Sequence, residues 1–309
     1  MSFDLRQLRY FVAVAEECHF GRAALRLSMT QPPLSQQIRA LEEALGAPLF
    51  LRTKRSVELT PVGRDLLPEV RRLLAAADGL QPMAQSLARG EVGVLSLAFV
   101  STADYGVLPP LLQRFSERYP GVRLQLTEAT SDVQFEELWA GRVDAGLIIP
   151  PLPARFANHL EYLPIAREPL VVAMSEAQAR LVGGRENDAV TLHEIAAAPL
   201  IVFPRRLAPA FYDIIMDCFG AAGITPYIGQ EAIQMQTIVS LVSAGMGVAL
   251  VPQSLRNLRR TGVVYRPLQA ALPVVETGLV WRRADAGPVL QGFIAAARAY
   301  AQERAAAID

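Results

Sequence analysis

The stretch from Ala23 to Gly63 constrains the fold more than any other part of this 309-residue chain. Between Thr30 and Leu45, Leu34, Ile38, Leu41 and Leu45 recur at helical spacing and define one buried stripe. Thr30 is placed to cap that helix, and Pro32 and Pro33 fall in its first turn, where a missing N–H costs no intrahelical bond. Ahead of it, Phe20 to Leu27 reads as a short helix with Ala23, Ala24 and Leu27 on one side, and Ser28-Met29-Thr30 forms the turn. After it, Leu49 to Arg52 and Val57 to Thr60 read as two strands around Thr53-Lys54-Arg55-Ser56. The pattern predicts a winged helix-turn-helix, with Asp4 and Gln7 as a capping box for a scaffold helix running through Glu17.

The polar face of the second helix carries Gln31, Pro32, Pro33, Ser35, Gln36 and Arg39. Amides, hydroxyls and guanidinium groups match the donor and acceptor pattern of the DNA major groove. Any amphipathic helix has a polar face, so the wing carries as much of the argument. Its cations Arg52, Lys54 (the only lysine) and Arg55 are candidates for phosphate or minor-groove contact. Residues 1–90 hold 12 basic and 9 acidic side chains, and the remainder 18 and 21, an asymmetry in the direction DNA requires.

Several motifs here resemble those of the LysR-type transcriptional regulators. They are Leu8-Arg9-Tyr10-Phe11, Ala23 to Leu27, Gln31-Pro32-Pro33-Leu34-Ser35, Leu41-Glu42, Leu45-Gly46, Leu49-Phe50, Arg52, Leu59-Thr60 and Gly63. Gln36 departs from the pattern, since the family usually has Arg or Lys there.

Beyond Thr60-Pro61 a long helix is predicted to about Ala88. Leu66, Val70, Leu73, Ala77 and Leu80 alternate along it, continuing to Ala84 and Leu87, as a heptad seam for dimerisation. Packing of that helix on its own effector domain is the alternative, and Pro68 and Pro82 predict a kink or a break. From Val92 onward βαβ alternation predicts a mainly parallel sheet. The expected domains are a winged helix over 1–60, a linker helix over 61–88, a hinge at 89–91 and an α/β effector-binding domain over 92–309. Its first lobe takes 92–165 and 268–309, and its second 166–267.

Two such lobes joined by crossing strands resemble the periplasmic-binding-protein architecture that LysR-type regulators carry, with a ligand between them. The positions at strand ends and helix starts are Ser101, Thr102, Thr130 and Ser131 in one lobe, and Phe203, Pro204, Arg205 and Arg206 in the other. Helix capping is the competing role for each hydroxyl. Phe99 to Thr102 and Phe203 to Arg205 resemble the inducer pockets of regulators of aromatic and chloroaromatic degradation, which respond to muconate-type acids. An arginine that some of them carry falls here at Ile149, so a smaller or less charged acid, or anchorage through Arg205 or Arg206, is expected.

The resemblance implies transcription regulation through a small organic-acid inducer, a homotetramer on double-stranded promoter DNA and a contact with RNA polymerase. No cofactor, metal or membrane partner is expected. No run approaches the ~18 apolar residues of a membrane span, and the start lacks a secretory pattern, so a cytoplasmic protein is expected. Cys18 and Cys218 form no CxxC and are expected to be buried as small hydrophobes. An enzyme is not expected: Gly245-Met246-Gly247 lies between a helix and a strand, the reverse of a dinucleotide fingerprint. His19, His159 and His193 lack ligand spacing. A stand-alone solute-binding protein, the other rival, has no use for the first 90 residues.

Overall fold

The computed structural model describes residues 3–53, 56–185, 187–269, 274–284 and 286–306, and divides into two compact units, Met1–Gln85 and Ser86–Asp309. In the first unit, α1 (Leu5–Glu17) starts at the Asp4–Gln7 capping box and buries Leu8, Phe11 and Val14. Helix α2 (Phe20–Arg26) is capped by His19, whose Nδ1 accepts from the Gly21 and Arg22 amides. Helix α3 (Gln31–Leu45) buries Leu34, Ile38 and Leu41 completely, as its spacing predicts. Thr30 stands at its N-cap without a side-chain capping bond.

Strands β1 (Phe50–Arg52) and β2 (Val57–Leu59) pair antiparallel to form the wing. Glu42 of α3 ties that wing down, accepting from the Leu49 and Phe50 amides at 2.8 and 3.1 Å. Helix α4 (Pro61–Ala88) is continuous through Pro68 and Pro82. Thr60 caps it, with Oγ1 accepting from Gly63 N and donating to Pro48 O. Gly63 permits the close approach, because a Cβ there would sit 2.3 Å from the Leu49 carbonyl oxygen.

The second unit begins with β3 (Val92–Phe99), α5 (Leu108–Arg118), β4 (Gly121–Glu128), α6 (Ser131–Trp139) and β5 (Ala145–Ile148). Strand β3 pairs parallel to both β4 and β5, as the βαβ pattern predicts. A 16-residue strand, β6 (Leu160–Ser175), follows. The chain then forms α7 (Glu176–Val182), α8 (Leu192–Ile195), β7 (Leu200–Val202), α9 (Pro209–Ala221), β8 (Ile228–Glu231), α10 (Met235–Ser243), β9 (Ala249–Pro252) and β10 (Val263–Pro267). It returns through β11 (Val274–Arg282) to α11 (Pro288–Ala306).

The expected mainly parallel sheet is corrected. Among the described residues a seven-stranded sheet runs β10-β6-β11-β5-β3-β4 with β9 also on β6, and every pairing of β6 and β11 is antiparallel. The reason is the crossing. Residues 160–169 of β6 pair with β11 in the first lobe, and residues 170–175 pair with β9 and β10 in the second. A strand shared by two lobes must leave one and enter the other, so its neighbours meet it head to tail. Parallel pairing returns in β7 and β8.

Of the cysteines, Cys218 is buried as expected, and burial pushes its thiol up to about 11. Cys18 is exposed, a second correction, because it ends α1 in a left-handed turn at φ 46°.

Candidate nucleic-acid interface and ligand cleft

The exposed edge of α3 presents Gln31, Pro32, Pro33, Gln36 and Arg39, with Ser35 partly covered. Arg39 has no ion-pair partner among the described residues. Its guanidinium is therefore available to an anion.

Arg52 has a structural role within the first unit. Its Nη2 lies 2.7 Å from Glu42 Oε2, its Nη1 donates to Ser35 Oγ at 3.3 Å, and its guanidinium stacks 4.9 Å from the Phe20 ring centre. Only 26% of its side chain is exposed. Its charge is already matched inside the unit, so Arg52 braces the wing against α2 and α3. Lys54 and Arg55 lie outside the described residues.

The predicted seam on α4 also divides. Val70 is buried in the core of the first unit together with Leu74, and Leu66 packs against that core, whereas Leu73 and Leu80 are 47% and 64% exposed. Ala77 is half-buried. Heptad spacing cannot separate a stripe for a partner from one that serves the chain's own core. Val70 thus leaves the set of dimer candidates.

In the second unit the two lobes enclose a cleft of about 640 Å³. Ser101, Thr102, Thr130 and Ser131 line it from the first lobe and Phe203 from the second. Ser101 Oγ accepts from Met235 N at 2.8 Å, joining the lobes across the cleft, and Ser131 Oγ accepts from Ile149 N. Thr102 Oγ1 is buried without a partner among the described residues. Three helices begin at this cleft, α6 after Thr130, α9 after Ala208 and α10 after Gln234, and none of these N-cap side chains makes a capping bond. Ser101 Oγ already takes the first amide of α10, and the dipoles of the three helix starts favour negative charge in the cleft.

Pro204, Arg205 and Arg206 do not line the cleft, which corrects that expectation. Arg205 is exposed and forks onto Asp213 of α9 at 2.7 and 3.1 Å, and that guanidinium holds the Asp213 carboxyl below its usual range. The cation that does reach the cleft is Arg155, which stacks 4.4 Å from the Phe156 ring centre and pairs with Glu136. No local pattern singles out Arg155. It sits in a loop, and only the fold brings it to Ser131 and Phe135. The rest of the wall is largely apolar, with Val100, Ile149, Leu207, Phe211 and Ile233.

Residues 5–64 match the model of the bacterial regulatory helix-turn-helix protein, lysR family, and residues 88–302 match that of the LysR substrate binding domain. The chain belongs to the LysR family. It is a DNA-binding transcriptional regulator with an effector-binding domain, and not an enzyme. It is 55% identical over 291 residues to the HTH-type transcriptional regulator IlvR of Caulobacter vibrioides, covering 94% of this chain and 96% of that one. With the HTH-type transcriptional regulator AlsR of Bacillus subtilis it shares 39% identity, covering 94% of each. The crystal structure of full-length CbnR with its target DNA superposes with a TM-score of 0.83 at 32% identity, over 97% of this chain and all 100% of that one. None of the described helices of this LysR-family chain is long and apolar enough to cross a membrane.

Proposed function

We propose that this regulator binds a small organic acid in the cleft between its lobes and that the bound acid changes its grip on promoter DNA. The observation that carries the reading is Thr102: a buried hydroxyl without a partner among the described residues, in a cleft at which three helices begin. A carboxylate accepts from such groups, and the apolar wall suits a hydrocarbon or aromatic body. In this reading Ser101, Thr130, Ser131 and Phe203 contact the ligand, and Arg155 takes the place expected of Arg205 or Arg206.

On DNA, Gln31, Ser35 and Gln36 read base edges while Arg39 holds phosphate, with Pro32 and Pro33 shaping the helix start. The chain works in the cytoplasm as a tetramer built from two dimers. The exposed part of α4 pairs the protomers, and the promoter-bound assembly contacts RNA polymerase. The relative named as a probable cat1 operon transcriptional activator, 34% identical to this chain, fits a catabolic setting.

Thr102→Val keeps the shape and removes the hydroxyl. Calorimetry with a panel of small organic acids, beginning with benzoate and muconate, is expected to show affinity weakened about tenfold, as for the loss of one hydrogen bond to a charged group. Ligand-free operator binding is expected to be unchanged, and Arg205→Ala to bind the same acid normally. Undiminished affinity in Thr102→Val rejects this site.

A further inference from the structure

The two segments that cross between the lobes enclose a second cavity, of about 240 Å³, that shares no lining residue with the cleft. Pro169 and Leu170 of β6 form one wall, and Pro267 at the end of β10 with the following Leu268 another. Gln253 and Arg256 reach it from the 3-10 turn Gln253–Leu258 that follows β9. Asn187 also lines it, and among the described residues no acidic side chain does.

Arg256 is the anomaly. Its Nη2 donates to the Tyr265 carbonyl oxygen at 3.2 Å, yet among the described residues its buried Nε–H has no acceptor and no carboxylate pairs with it. A buried donor on a charged group is expensive to leave unmatched, and an unpaired guanidinium beside a cavity more so. A carbonyl oxygen satisfies one N–H but does not neutralise the charge. An anion seated in the cavity does both.

We propose that this cavity is a second ligand site, for a small oxyanion of carboxylate or phosphate type, with Arg256 as its charged partner and the Gln253 amide as a further donor. Both crossing segments form its walls. An anion that fits one angle between the lobes better than another therefore biases the same equilibrium as a ligand in the cleft, and each ligand changes the other's affinity reciprocally.

The test is calorimetric titration of the full chain with sodium phosphate, sodium sulfate and sodium acetate, with ionic strength held constant by sodium chloride. At least one anion is expected to bind saturably. Its Kd is expected to rise about tenfold or more in Arg256→Met, through loss of a charge-assisted hydrogen bond, and to be unchanged in Thr102→Val. Preference for acetate points to a carboxylate occupant, and preference for phosphate or sulfate to an inorganic or phosphoryl one. If Arg256→Met does not fold, Arg256→Lys keeps the charge and lacks the Nε–H, and the same weakening is expected. No saturable binding in the wild type, an unchanged Kd in both Arg256 variants, or loss of binding in Thr102→Val alone overturns the proposal.

Discussion

Glu42 accepts from the Leu49 and Phe50 amides through Oε1 and from Arg52 through Oε2, with only 14% of its side chain exposed. Removing it orphans two amides and a guanidinium together, so Glu42→Ala is expected to destabilise the first unit by about 2–4 kcal/mol in chemical denaturation. Arg52→Ala is expected to lower the stability of the same unit while leaving the salt slope of operator binding unchanged, because its charge is used within the unit. A slope reduced by about one would restore Arg52 to the phosphate contacts. The exposed edge of α3 was legible in the sequence because helical spacing is local. The pairs Arg52 with Glu42 and Arg205 with Asp213 were not. Ten and eight residues separate their members, and nothing in the spacing says that a wing strand or a loop folds back onto a helix.

At the scale of elements, β6 shows where periodicity stops being informative. Pro164, Arg167, Glu168 and Pro169 interrupt its apolar run, and prolines argue against a central strand. The strand tolerates Pro164 at the register shift opposite Thr277 and Gly278, and Pro169 where its pairing partner changes from β11 to β9 and β10. Beside the change, Glu168 accepts from Ser254 N at 2.7 Å and from Ser254 Oγ at 3.1 Å. Burial raises its carboxyl above the usual range, outweighing those two bonds and the nearby positive charge of Arg304. A carboxyl that binds its proton more tightly when folded makes the fold lose stability as pH rises from its unfolded pKa, about 4.3, through its raised folded value. Glu168→Gln is expected to remove that loss. In scanning calorimetry the variant should gain on the wild type as pH rises through this window, and a constant difference from pH 4 to 8 would count against it.

For the whole molecule, the two-lobed plan was legible because strand and helix patterns alternate, as in β3-α5-β4-α6-β5. The antiparallel crossing was not, since it depends on contacts between β6 and a strand more than a hundred residues later. Assembly is read the same way. Heptad spacing nominated Val70 and Leu80 alike, and burial separates them. Leu80→Glu places a charge on the exposed part of α4 and is expected to lower the sedimentation mass of the assembly without lowering the melting point of the first unit. Val70→Ala is expected to do the reverse, costing about 1–3 kcal/mol of stability at unchanged mass. If Leu80→Glu sediments as the wild type does, the exposed stripe is not the pairing surface.

A single strand clamped in both lobes also limits how the cleft can open. Backbone hydrogen bonds hold β6 to its neighbours on either side of Pro169, so the lobes cannot simply draw apart as jaws on a slack tether. A change in the angle between them has to twist β6, and the strand offers least resistance at Pro169, which has no N–H to give to the ladder. Such a twist moves nearby atoms little and distant ones more, so the rim of the cleft travels farther than its floor. In the proposed function, a ligand at Thr102 is thus read out as an angle.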